Sequence, residues 1–365
     1  MSSSPSLRCV AGALAVASAY AFGAAGCTGD RSGMAAPAEV LLEAPAPGEG
    51  FQIATDQFTV APGSEQTNCY FHAVPFEAGK KVWATRFIIA TAVGTHHAQV
   101  HVVSSLNDLS AGAQDGDVVR GGLCDSGALA DWPLVANSQR SGETFEWTLP
   151  PDTGMELEGG ALLVLQVHFA NATDTEQVTP GPASVVTNIY TTTTPPGTVA
   201  GFHPGTQKDL RVCPGETISW TGRCRFPSDQ DRTIIATNGH FHARGRRFTA
   251  TVLDPAGFDL PPGTPAAAPY YESLDWAEPD MATDLDVVVP AGGGVEFTCE
   301  YVSQPTDCGD PDDSCCFKFG NQTQRAEHCV LFLYVSPREA AIYTDGRPSD
   351  PALAIDCALE DPERW

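Results

Sequence analysis

The sequence predicts an all-β protein built from sandwiches or jelly rolls. Few windows carry the 3.6-residue apolar repeat of a helix, and short segments rich in Val, Thr, Ile and Phe recur instead. These segments are broken by Gly, Pro, Asn and Asp, with 35 glycines and 29 prolines in 365 residues. Hydrophobic residues make up 42%, enough for packed cores, and the length accommodates two domains of ordinary size.

In chain order, the first element is an export signal. After Arg8 a small-residue apolar run extends from Val10 to Ala25, short for a membrane span and typical of a signal-peptide core. It ends in FGAAGC, which resembles a bacterial lipobox, with Ala24 where Leu is usual and Cys27 as the expected lipidated residue. Residues 1–27 therefore read as a signal peptide and the Ala-, Pro- and Gly-rich stretch 28–50 as a flexible tether. The expected location is the periplasm or cell surface, with the membrane reached through a lipid anchor.

Strand-like segments follow at 82–92, 98–103, 145–149, 161–170 and 183–190. The polar, Pro-broken TTTTPPG at 191–197 reads as a boundary. A second block of similar size carries strands at 218–220, 233–238, 248–253, 285–289, 295–301 and 329–335. Many short strands without helical periods are the pattern of sandwiches and jelly rolls.

The net charge of −25 disfavours nucleic acid, because phosphate would be repelled, and fits an acidic, soluble surface. Of 12 cysteines, those outside Cys9 and Cys27 are even in number, which in an oxidising compartment favours disulfides over zinc-thiolate chemistry. Cys315 and Cys316 are adjacent and do not readily pair with each other, and CGDPDDSCC reads as a stapled insertion loop rather than a metal knuckle.

The chain has nine histidines. His72 and His203 sit in no pattern. His96 and His97 end an apolar strand just after Gly94. Neighbours on a regular strand face opposite ways, so both reach one ion only if Gly94 allows a bend. Without a bend, one faces the core and the other solvent. His101 shares His97's face on a regular strand, as an extra ligand or an ordinary strand histidine. His168 closes the apolar run ALLVLQVHFAN and needs a polar partner there, since an unpaired buried polar group costs roughly 1–3 kcal/mol. In NGHFHARG, His240 and His242 project from one strand face, with Cα atoms about 6.5–7 Å apart, while Phe241 is free to pack on the other. That spacing suits chelation of one ion.

In order, HH (His96-His97), QVH (Gln166 to His168), HFHARG (His240 to Gly245) and EHC (Glu327 to Cys329) resemble the copper type II, ascorbate-dependent monooxygenases, the family of dopamine β-monooxygenase and peptidylglycine α-hydroxylating monooxygenase. EQTNCYF (65–71), YYESLDWAEPD (270–280) and FTCEY (297–301) also fit, so the resemblance runs from about 55 to 357. It implies two tandem jelly-roll-like antiparallel sandwich domains, 51–192 and 193–365, each carrying one copper, facing each other across a solvent-filled gap. His96, His97 and His168 would form an electron-accepting copper site. His240, His242 and a third ligand would hold the catalytic copper where O2 and substrate react; His328 is the expected third ligand, the alternative being a surface residue that leaves the site two histidines. Two one-electron metals suit hydroxylation, because inserting one atom of O2 and reducing the other to water takes two electrons from ascorbate or another reductant. Imidazole suits copper in either state. The resemblance also implies disulfides Cys69–Cys124, Cys224–Cys357 and Cys299–Cys329, and leaves Cys213, Cys308, Cys315 and Cys316 unassigned.

Two departures matter. His328 stands where the family has methionine, and a harder imidazole in place of a soft thioether favours copper(II). Where the peptide-amidating members hold a substrate carboxylate with Arg, Asn and Tyr, this chain has Asn238, Val330 and Phe332, so a peptide substrate is not expected. Val330 and Phe332 either line an apolar substrate site or simply pack; Arg244 either meets an anion or is solvated. The expected function is hydroxylation of a small organic substrate, with a non-catalytic copper-binding lipoprotein as the alternative.

Overall fold

A computed structural model describes residues 42–338 except 104–105, 126–131, 174, 227–228 and 265–266, together with the backbone of short strands beyond 338. The expected signal peptide, Cys27 and most of the tether lie outside the described residues.

The first half contributes β1 (Gly50–Ala54), β2 (Glu65–Ala73), β3 (Lys81–Thr91), β4 (Thr95–Val102), β5 (Val118–Arg120), β6 (Leu134–Ser138), β7 (Thr144–Thr148), β8 (Thr153–Glu158), β9 (Leu162–Ala170) and β10 (Val185–Thr192). The second contributes β11 (Thr198–Thr206), β12 (Arg211–Val212), β13 (Thr217–Arg225), β14 (Arg232–Phe241), β15 (Gly245–Leu253), β16 (Tyr271–Ser273), β17 (Val287–Val289), β18 (Gly294–Val302), β19 (Phe317–Lys318) and β20 (Cys329–Ser336). Past these come β21 (Tyr343–Thr344), β22 (Arg347–Pro348) and β23 (Asp356–Leu359). The fold is all-β, and the helical pieces among the described residues are short 3-10 turns.

Two five-stranded antiparallel sheets, β5-β2-β9-β4-β6 and β16-β15-β18-β13-β23, lie one in each half. A larger sheet, β1-β10-β3-β8-β11-β20-β14-β17 with β7 on β3, runs through both halves. It is continuous across the expected 191–197 boundary because β11 pairs in parallel with β8 and antiparallel with β20.

β20 shows why its sequence, CVLFLYVS, does not alternate: every residue in it is buried. Val330, Phe332 and Tyr334 belong to the core that holds Phe87, Trp147 and Leu165, whereas Leu331, Leu333 and Val335 belong to a second core with Phe248, Phe297 and Tyr301. A strand with both faces covered reads as a continuous apolar run.

Disulfides Cys69–Cys124 and Cys299–Cys329 are present. Cys224 is disulfide-bonded and faces Cys357 in the β13–β23 register, the side chain of Cys357 lying outside the described residues. The unassigned four resolve as Cys213–Cys316 and Cys308–Cys315. The CGDPDDSCC loop is thus stapled both internally and to Cys213, just after β12.

Candidate metal centre

The bend required at His96-His97 exists. Gly94 has φ +95°, and a side chain there would collide with the Phe169 ring. The β4–β9 register then slips: Thr95 pairs with Phe169 but His97 pairs with His168, so His96 is the extra residue of a β-bulge. The bulge frees His96 from alternation, and its ring lies 5.5 Å from that of His97 and 5.2 Å from that of His168.

His240 is on β14, paired with Val330 of β20, and Phe241 pairs with Cys329. Continued by one residue, this register sets His242 beside His328, with ring centroids 4.3 Å apart. Phe241 points into the second core and stacks on Phe248. The turn of HFHARG closes with the Gly245 amide donating to the His242 carbonyl, and any side chain at Gly245 would strike the Phe241 ring. The Phe319 ring stacks on His328, and the Tyr301 hydroxyl donates to the His328 carbonyl.

The solvent-filled gap implied by the resemblance is not what the structure has, because the two sets of rings meet. His240 lies 5.6 Å from His96 and 5.8 Å from His97, as well as 5.2 Å from both His242 and His328. The ligand-competent groups also divide differently from the expected sets. One is His96, His97 and His240; the other is His240, His242 and His328, with the donor atoms of each group within 4.8 Å of one another. His168 touches the rings of His96 and His97, but its Nε2 is 3.0 Å from the Glu65 carboxylate and it completes neither group.

These nitrogens are suited to a metal. His96 Nε2, His97 Nδ1, His240 Nδ1 and both His328 ring nitrogens are buried without a hydrogen-bond partner among the described residues. Left so, each costs roughly 1–3 kcal/mol. Burial lowers the His96 imidazole to about 3, helped by His168. Burial, then the neighbouring imidazoles, hold His97, His240, His242 and His328 well below the usual value. The rings are therefore neutral, the form that ligates.

Carboxylates that carry no motif of their own fix this arrangement. Glu65, on β2, takes a 2.5 Å hydrogen bond from the Thr323 hydroxyl as well as its contact with His168, tying the first histidine set to the loop before His328. Burial alone would raise its carboxyl, but the bonds from His168 and Thr323 outweigh burial and hold it down to about 2. Glu327 is fully buried and accepts from the backbone amides of His242 and Arg244. Burial pushes its carboxyl up to about 7 against the pull of Arg244. His242 Nδ1 lies 3.1 Å from the Ala326 carbonyl, which leaves Nε2 for a metal, and His97 Nε2 lies 3.3 Å from Gln166 Oε1.

Arg244 does not stand free in solvent: it pairs with the Glu327 carboxylate at 3.5 Å and caps the Phe317 ring. Val330 and Phe332 pack in the first core, and Asn238 is buried, accepting from Asn137 at 3.0 Å. His101 is held between the Trp132 carbonyl and Gln99, and with His72 and His203 it belongs to neither ligand group.

No family model and no curated protein matches the chain. Among solved structures, that of the infectious bursal disease virus Gx strain aligns over 79% of this chain and 72% of that one, at 11% identity and a TM-score of 0.16. A likeness that low carries no argument. No helix among the described residues is long and apolar enough to cross a membrane, and the disulfides suit an oxidising compartment.

Proposed function

We propose that this chain is an exported copper protein of the ascorbate-dependent monooxygenase type, lipid-anchored at Cys27, that hydroxylates a small organic substrate. The observation that carries the reading is the concentration of His96, His97, His168, His240, His242 and His328 in one cluster, in which His96, His97, His240 and His328 have buried ring nitrogens without a partner among the described residues. The ordered HH, QVH, HxHxxG and EHC motifs support copper over other ions; an all-imidazole donor set suits copper, which heads the divalent affinity series, and also suits zinc. Copper, when bound, supplies one-electron transfer from ascorbate or another reductant and the activation of O2.

The chain's own residues supply binding and orientation. Were copper bound, His96 and His97 would hold the electron-accepting ion on the first-half side, with His168 packed against their rings and Glu65 and Gln166 fixing the His168 and His97 rings. His240, His242 and His328 hold the reacting side, with Glu327 setting the turn between His242 and Arg244. The deep burial of His240 and His242 excludes bulk water from their nitrogens.

A second reading, a copper-handling lipoprotein without catalysis, is favoured by one feature, the imidazole of His328 where the family has a thioether. Copper content and ascorbate-driven O2 uptake separate the readings. Two coppers per chain with O2 uptake support the enzyme, two coppers without uptake support the carrier, and no copper overturns both.

A further inference from the structure

We propose that the histidines form one exchange-coupled dinuclear centre with His240 as its middle ligand, rather than two magnetically separate copper sites. This rests on the copper reading above and specifies it.

His240 is the hub of the cluster. Its ring lies within 6 Å of two first-half histidines and of both His242 and His328, and it is common to both ligand-competent groups. Two ions that draw on those groups compete for, or share, the same residue, so they cannot be independent. The approach of the two sets is built in rather than incidental. His96 is directed there by the β-bulge at Thr95/His97. Buried polar contacts then clamp the halves on either side of the cluster: Thr323 to Glu65 at 2.5 Å, and Asn137 to Asn238, two residues before His240, at 3.0 Å.

The consequence is spectroscopic. Copper(II) carries one unpaired electron, and two copper(II) ions pair their spins when one ligand bridges them, which His240 would do as an imidazolate, its N–H proton lost to solvent and one ring nitrogen on each ion. Isolated sites give the full signal.

The test loads the full chain with copper(II) in the presence of ferricyanide, which keeps the metal oxidised, and compares total copper with the electron paramagnetic resonance spin count. The same sample is then denatured in acid to release the copper and counted again. The expected result is two coppers per chain, a native spin count below half of the copper, and full recovery on denaturation. Two coppers per chain that are all counted in the native state overturn the coupled centre and leave the proposed function standing. Fewer than two coppers per chain overturn both. In a His240→Asn variant the expected change is loss of coupling with altered spectra of both remaining copper environments. A His240→Asn spectrum in which one copper is unchanged overturns the hub assignment, and the unsubstituted chain decides the question should that variant not fold.

Discussion

His328 concentrates the chemical question at the scale of single residues. Its ring stacks between His242 and Phe319, its carbonyl is held by Tyr301, and both ring nitrogens lack a partner among the described residues, so it is placed to ligate. His328→Ala is expected to change the copper spectrum and lower copper retention on dialysis; unchanged stoichiometry and spectrum would remove it from the ligand set. His328→Met restores a soft donor that favours copper(I), and ascorbate-driven O2 consumption is expected to rise. Glu65 is the second residue to test. Its bond to His168 matches the outer carboxylates that orient metal-bound imidazoles, whose loss costs about 10–100-fold in metal affinity. Glu65→Gln is therefore expected to weaken copper binding by that order in a competition titration and to shift the copper spectrum. Equal affinity and an identical spectrum would reduce Glu65 to a structural clamp. The clustered histidines were legible because their motifs are ordered along the chain. Glu65 and Glu327 were not, because a carboxylate among 45 acidic residues has no pattern until the fold places it beside an imidazole.

Secondary-structure elements explain which parts of the fold a sequence can disclose. Apolar β-branched runs such as 82–92 and 161–170 mark β3 and β9 because those strands bury most of their residues. β2 is hidden behind EQTNCYFHA, whose polar Asn68 is buried with its amide donating to the Tyr70 hydroxyl. β11 (TVAGFHPGT) is hidden because its Gly and Pro residues interrupt the apolar pattern of a strand. Pro204 lies beyond Ala200, where the β8 register ends, and faces Phe332 in the register with β20. The bulge at His96 was legible only as a condition, that Gly94 permit a bend, and the slip of register meets it. The Cys299–Cys329 bridge joins β18 to the start of β20 beside His328, closing a separation of 30 residues. Replacing both cysteines with alanine is expected to cost about 2–5 kcal/mol of unfolding free energy in denaturant titration. A loss under about 0.5 kcal/mol would mean that β20 is held by its two cores alone.

At the scale of the whole molecule, one core spans both halves. Ala200, Phe202, Val330, Phe332 and Tyr334 from the second half pack with Phe87, Trp147 and Leu165 from the first, and the large sheet is continuous through β8 and β11. Unfolding is therefore expected as one transition, with circular dichroism and tryptophan fluorescence coincident; two resolved transitions would show that the halves melt separately. His203 lies in this joining strand, paired with Leu333, buried, and with neither ring nitrogen partnered among the described residues. Burial, and then the nearby positive charge of Arg232, lower its imidazole to about 3 from the ordinary 6.5. The unfolded chain therefore binds a proton in the window between 6.5 and about 3 that the folded chain refuses. Stability is unaffected by this residue above pH 6.5 and falls as pH drops through that window, by up to about 1.4 kcal/mol per pH unit for one proton. His203→Leu keeps the apolar contacts and removes the titration, so its unfolding free energy is expected to fall less steeply between pH 6 and 4 than that of the parent chain. Parallel slopes for the two proteins would show that His203 is protonated in the fold, and that the strand joining the halves admits water.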